Sequence, residues 1–324
     1  PQIETNRWLE QDGVQIFYAS PGALNWESVL VQIRDTKPDY LYLNSMYSTC
    51  FTIYPLLMKR LGMIKGQVVL APRGMLKSTA VQYKTGKKQL FFKLLKWLRV
   101  QKQIIFHATD ATEETDIRNL FGKDVTIKQI TNFPPQQKAL QIINKQSGAI
   151  KIIFVGRVHP IKNLSFLLTC LQTITAKVQL TIVAAIEDEA YWIKCGDIIN
   201  NLTERVTVKL QQDVPHHQIE QLINDHHLFV LPTLGENFGH AIFEALSAGR
   251  PVLISDQTPW RNLQEYYAGW DLSLSDEAAF VRVLQQVAAM DDEAYQQWST
   301  GAWQYAKNFT ESSDLKEKYK ELFS

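Results

Sequence analysis

The sequence predicts an α/β protein built as two successive parallel sheets, each covered by helices. Three observations point there. Apolar runs of strand length alternate with longer helical patterns along all 324 residues, the pattern of parallel sheets joined through helices. The segment 132–148, NFPPQQKALQIINKQSG, divides the chain; its Pro pair, polar composition and terminal Gly suit an interdomain linker. The residues best suited to binding follow directly on strand candidates, where open α/β sheets hold their ligands.

Strands are expected in the first half at 14–19, 40–44, 67–71, 104–109 and 126–131, and in the second half at 151–156, 179–184, 205–210, 228–232, 251–255 and 270–274. The length suffices for two domains of ordinary size. Their expected limits are 1–132 and 149–305, with 133–148 as the linker. The tail 293–323 reads as helices. No short-period repeat interrupts this order.

Composition narrows the function. The formal net charge is +1 and 45% of residues are hydrophobic, so whole-molecule charge gives no argument for nucleic acid, and no nucleic-acid motif is present. The cysteines Cys50, Cys170 and Cys195 form no C-x-x-C pair and suit thiols in a reducing compartment. No apolar run is long enough to span a bilayer and no signal peptide pattern is visible. A cytoplasmic location is therefore expected. Between Lys77 and Thr109 stand eight basic residues and no acidic one, with Phe91, Phe92, Leu94, Leu95, Trp97 and Leu98 interleaved. A basic amphipathic helix of this kind reads as peripheral membrane binding through 77–102; the alternative is a core helix with a solvated basic face.

Two strand–turn–helix junctions carry the chemistry. In LPTLGENFGHAIFEALSAGRP (231–251) a Gly-containing turn leads into a helix expected from about Phe238. Such a junction aims free N–H groups and the positive helix end at the turn. Glu236 at its mouth can accept hydrogen bonds from a polyol. Glu244, farther along, can hold a vicinal diol such as ribose. In KIIFVGRVHPIKNLSFLL (151–168), Gly156 ends a strand, Arg157 and Lys162 occupy the turn, and Asn163 stands near the helix start. Two cations beside a helix N-terminus suit a diphosphate. Together the turns offer sites for the parts of a nucleotide sugar.

These motifs resemble the donor half of retaining glycosyltransferases of family 4, whose hallmark is two glutamates with seven residues between them, here Glu236 and Glu244. The likeness covers 150–310 most strongly; APRGMLKSTA, HATDATEET and ITNFPP extend it over 14–135. The resemblance implies a GT-B fold, two Rossmann-like domains facing across a cleft. The family opens with a strand, a Gly-rich loop and a helix that this sequence lacks, so the N-terminal, acceptor-side domain is expected to be partial. It implies that residues 306–324 cross back to the first domain. By resemblance, Arg157 and Lys162 hold the donor diphosphate. Glu236 and the backbone at Asn237, Phe238 and Gly239 meet the sugar and phosphate, and Glu244 binds the ribose.

The implied reaction moves a sugar from a nucleotide diphosphate donor to a hydroxyl of a glycan or lipid-linked acceptor, with retention, by front-face displacement, in bacterial surface polysaccharide or lipopolysaccharide assembly. No cofactor and no metal are expected: Glu187–Asp188–Glu189 lacks the Asp-x-Asp form of metal-dependent glycosyltransferases. Two departures stand out. Arg73–Gly74 replaces a common His-Gly, and Ala184–Ala185–Ile186 replaces a glycine turn. His240 at the site mouth is a donor-side candidate with an equal claim to a packing role. Arg73, His107 and Asn44 are weak acceptor-side candidates. His159, His216, His217, His226 and His227 read as loop, structural or surface residues, since adjacent histidines share no helix face. A nucleotide-sugar epimerase or sugar phosphorylase on the same fold, and a non-catalytic nucleotide-sugar binding protein, are the alternatives.

Overall fold

In the computed structural model, residues 4–76, 91–93, 95–135, 137, 139–312 and 314–324 are described. The chain divides into two compact units, Pro1–Thr131 with Leu315–Ser324, and Asn132–Asp314.

The first unit opens on an antiparallel hairpin of β1 (Trp8–Gln11) and β2 (Val14–Phe17). Asp12 and Gly13 between them have φ of 53° and 77°, as a two-residue Asp-Gly hairpin turn requires. The run 14–19 was expected in the parallel sheet. It lies instead in this separate two-stranded sheet, because the Asp-Gly turn folds it back on Trp8–Gln11, whose WLEQ sequence gives little strand signal. The parallel sheet contains β3 (Tyr40–Leu43), β4 (Gln67–Leu70), β5 (Ile104–Ala108) and β6 (Thr126–Gln129), in that order. Helices α1 (Trp26–Thr36), α2 (Tyr54–Arg60) and α3 (Ala111–Phe121) accompany it. Asn25 and Ser28 form a capping box on α1, and Asp110 caps α3, each satisfying N–H groups that a helix leaves unpaired. Leu43, Leu56, Val68, Leu70, Phe106 and Ile117 fill the core.

The second unit holds six parallel strands: β7 (Ala149–Val155), β8 (Lys177–Val183), β9 (Val206–Gln211), β10 (Leu228–Leu231), β11 (Val252–Ser255) and β12 (Gly269–Leu272). Their order is β12-β11-β10-β7-β8-β9. The chain starts in the middle, steps outward to β9, then returns to pair β10 with the other side of β7. This is the doubly wound order, with its reversal between β7 and β10, where such sheets open a crevice for ligands. Every residue of β10 and β11 is buried, as expected of strands covered on both faces. The helices are α4 (Leu164–Gln172), α5 (Glu189–Asn200), α6 (His216–Asn224), α7 (His240–Ser247), α8 (Glu277–Ala289) and α9 (Asp292–Ser312).

The described part of 132–148 has no helix or strand, yet it is strapped to the second unit. Lys145 is buried there, and its Nζ donates to the carbonyls of Gln146, Ala288 and Met290 at 2.8, 3.1 and 3.1 Å. The buried Arg250 guanidinium donates to the Gln141 carbonyl. Helix α9 runs unbroken to Ser312 within the second unit, and the portion that joins the first unit is α10 (Leu315–Leu322). Leu315 and Leu322 pack on Val69 and Ile130.

Gly269 shows how tight the second sheet is. Its φ is 147°, and a Cβ there would sit 2.1 Å from the Val252 carbonyl oxygen. Gly269→Ala should therefore destabilise the second unit by roughly 3 kcal/mol, at the upper end of ordinary single substitutions. The neighbouring Trp270 stacks on Trp298 with ring centroids 4.0 Å apart, so a lowered denaturant midpoint followed by tryptophan fluorescence is the check.

Candidate functional site

The site is built by three loops at the carboxyl ends of β7, β8 and β10. Past β7, Gly156 N–H donates to the Val183 carbonyl at 3.1 Å, and Val158 N–H to that of Ala185 at 2.9 Å. Val158 also bridges Ile186 in parallel. The strands thus remain zipped beyond their ends, through the Ala184–Ala185–Ile186 segment. That pairing sets Arg157 beside Glu187: Nη1 lies 2.9 and 2.7 Å from the two carboxylate oxygens. The side chains are 57% and 45% exposed, so the pair is worth at most about 1 kcal/mol and a doubly charged ligand can displace it.

A 3₁₀ turn at Pro160–Lys162 follows, with His159 Nδ1 accepting from the Ile161 N–H at 3.2 Å. Asn163, at φ 56°, redirects the chain into α4. The Lys162 stem lies against Gly156; a Cβ on that glycine would be 3.7 Å from Lys162 Cγ. Lys162 Nζ reaches across the reversal point and hydrogen-bonds Glu236 Oε1. The two side chains are 16% and 14% exposed, so this contact is far less screened than that of Arg157.

The loop after β10 is fixed from both sides. The Ile161 carbonyl accepts from Leu234 N–H at 2.8 Å and from the Thr233 hydroxyl at 2.9 Å. Ser255 Oγ donates to the Thr233 carbonyl at 2.5 Å, and Glu236 N–H to that of Gln257 at 3.0 Å. Phe238 and Gly239 are buried, Asn237 is half-buried and His240 is exposed. Helix α7 begins at His240 rather than near Phe238, because Gly239 has φ 77°, outside helical space. Trp260 Nε1 donates to the Phe238 carbonyl at 2.6 Å and holds that corner. The His240 ring lies 4.8 Å from that of Phe238. Gly239, at the N-cap of α7, offers no side-chain cap, and the positive end of the helix faces the loop.

Glu244 stands on the next turns of α7, where a cavity of about 330 Å³ is lined by Glu244, His216, His217, Glu220 and Asn224 among others. His216 Nε2 lies 3.4 Å from Glu244 Oε1. His216 is exposed, as the surface reading has it, and α6 carries it beside Glu244, a placement that only the packing of α6 against α7 reveals. A larger hollow of about 820 Å³ involves Lys151, Lys177, Gln179, Arg205 and Thr207. It lies at the amino ends of the strands, the end at which open α/β sheets do not bind.

His226 and His227 are buried and structural. His226 contacts Thr181 Oγ1 and the Leu222 carbonyl at 2.7 and 2.5 Å. His227 Nδ1 accepts from Lys151 N–H at 3.0 Å, and burial holds its pKa down to about 4. Among the described residues, no group of three or more His, Cys, Asp or Glu side chains could hold a metal, and no helix is long and apolar enough to cross a membrane.

In the first unit Arg73, Asn44 and His107 come together. Arg73 Nε donates to Asn44 Oδ1 at 2.7 Å and Nη2 to Tyr42 Oη at 2.8 Å; Tyr42 Oη lies 2.6 Å from His107 Nδ1. Neither Tyr42 nor the fully buried Glu113 stood out in the sequence. Glu113 accepts from Gly74 N–H, Thr109 N–H and Thr109 Oγ1 at 2.5, 2.8 and 2.7 Å. Of the basic stretch, residues 77–90 and 94 lie outside the described residues. Lys93, Lys96, Arg99 and Lys102 are exposed, while Phe92 and Leu95 are buried.

Two Rossmann-like units in one chain define the GT-B fold class. Solved structures share it. HepE from Anabaena, in complex with UDP and glucose, aligns with TM-score 0.66 at 16% identity, over 91% of this chain and 80% of that one. Sucrose-phosphate synthase from Thermosynechococcus elongatus aligns at 0.67 and 16%, over 92% and 77%. WaaG, a glycosyltransferase involved in lipopolysaccharide biosynthesis, aligns at 0.61 and 12%, over 91% and 93%. Within the second unit, residues 149–289 match the family model of the glycosyl transferases group 1. No curated protein matches the sequence.

Burial raises the Glu244 pKa, partly offset by His216. A carboxyl whose pKa is higher folded than unfolded binds more protons in the native state, so its stability contribution falls as pH rises through that window. Glu244→Gln should accordingly make the protein more stable at pH 7, and the advantage should vanish once pH drops below the unfolded-state value. Denaturant midpoints at pH 7 and pH 4 test this.

Proposed function

We propose that the protein is a glycosyltransferase that moves a sugar from a nucleotide diphosphate donor to a hydroxyl acceptor. The observation that carries the proposal is the Lys162–Glu236 contact across the strand reversal, inside the segment that matches the glycosyl transferase model.

In this reading Lys162 and the positive end of α7 take up charge on the leaving diphosphate, and Arg157 exchanges Glu187 for the same anion. Gly156 lets the chain run close to Lys162. Glu236 orients the sugar together with the backbone from Asn237 to Gly239 and with His240, and Glu244 holds the ribose. Cations and helix dipole carry the charge stabilisation with no metal or cofactor in the scheme. The leaving group is already stabilised, so positioning supplies much of the rate. Retention at the anomeric carbon, with a donor phosphate oxygen receiving the acceptor proton, is the stereochemical course we assign from the family likeness. The same likeness supports a hexosyl donor and a cytoplasmic role in surface glycan assembly. Exposed Trp97, at 78%, beside Lys96 and Arg99 supports a peripheral membrane contact.

Calorimetric titration with UDP, GDP and ADP should show one of them binding. Glu244→Ala should weaken that nucleotide at least ten-fold through lost charge-assisted hydrogen bonds to the ribose; unchanged affinity counts against the ribose role. Lys162→Ala should slow transfer by about two orders of magnitude, the range seen when one donor to a developing anion is removed. Product analysis with and without acceptor separates the rivals. Sugar conversion without acceptor indicates an epimerase, release to inorganic phosphate a phosphorylase, and binding without turnover a non-catalytic protein.

A further inference from the structure

Among the described residues, the Arg73 guanidinium is held by neutral partners alone. It stands just after β4, at the carboxyl edge of the first unit's sheet, with a backbone φ of 54°. A left-handed conformation strains a non-glycine residue. Glu113 sustains it by gripping the next residue, Gly74, through its N–H at 2.5 Å.

The polarity of the clamp can be worked out. His107 Nε2 lies 2.7 Å from the Ile130 carbonyl. A carbonyl only accepts, so Nε2 carries the hydrogen and Nδ1 is a lone pair. Tyr42 therefore donates to Nδ1, and its oxygen is open to accept from Arg73 Nη2. Burial lowers the His107 pKa to about 4 and raises that of Tyr42 to about 12, so the chain stays neutral near pH 7. Asn44 is neutral as well. Among the described residues no carboxylate lies within ion-pair distance of Arg73. Glu113 and Tyr319 are the other titratable groups that act on Tyr42, and Glu113 is spent on the amides of Gly74 and Thr109. A half-buried, rigidly aimed cation with neutral partners, on strained backbone, leaves its Nη1 edge for a ligand.

We propose that Arg73 binds an anionic group, a phosphate or a carboxylate, on the acceptor, with Tyr42 and His107 as positioning residues. The assignment to an acceptor rests on the transferase reading; anion binding itself does not. The test is NMR titration of the full chain with methyl phosphate, glucuronate and glucose, in the presence of saturating UDP. At least one anion should bind ten-fold or more tighter than glucose, and which one does so distinguishes a phosphorylated from a uronic-acid acceptor. Arg73→Gln should lose that preference. Arg73→Lys, which keeps the charge without the planar fork, should retain part of it. Tyr42→Phe should weaken the anion two- to five-fold while UDP affinity stays the same. Repeating the titration without UDP in Arg157→Ala/Lys162→Ala removes the donor-side cations and should leave anion binding intact. Anions that bind no better than glucose, or that bind Arg73→Gln as well as the parent, overturn the proposal. Failure of UDP, GDP and ADP alike to bind would sink the donor reading alone.

Discussion

One carbonyl, that of Ile161, ties the loop after β7 to the loop after β10 where the strand order reverses. It accepts from the Leu234 amide and the Thr233 hydroxyl together, so the loop after β7 cannot shift without the loop after β10. Lys162 is the next residue along from that carbonyl and Glu236 lies two beyond Leu234. Their contact therefore follows from backbone bonding, and two flexible side chains meet at little further entropic cost. The Val158–Ile186 bridge does the same for Arg157 and Glu187.

The two cations consequently differ in kind. Lys162 is shielded and has a carboxylate built into the same pocket. Arg157 is exposed, and its partner is held by a bond that water and salt screen strongly. For the proposed diphosphate ligand, this pairs one fixed cation with one easily released cation. Glu244 adds a third element, a carboxylate partly removed from water whose charge the fold bears at some loss of stability.

Strand positions in the second sheet and the turn motifs were legible because parallel strands leave apolar runs and because Gly, Pro and charged residues mark the turns between them. All six strands of the second sheet were foreseen within about two residues, the usual uncertainty at element ends. What escaped depends on distant partners. Arg157 and Glu187 are 30 positions apart and meet only through the β7–β8 register. The His216–Glu244 contact needs α6 packed on α7. Tyr42 and Glu113 look like ordinary strand and helix-start residues until the carboxyl ends of three strands are assembled. The Trp8–Gln11 strand has no apolar alternation to announce it, and only its Asp-Gly turn betrays the hairpin.

The placement of α10 bears on the order in which the molecule can be completed. Val69 lies on β4 and Ile130 just past β6, and their covering residues, Leu315 and Leu322, are made only after the whole second unit. On the ribosome the second unit has all its strands and can close while the first still waits with an apolar face uncovered. The part begun first is finished last, and a nascent chain interrupted before residue 315 would present a sticky surface for chaperones to guard.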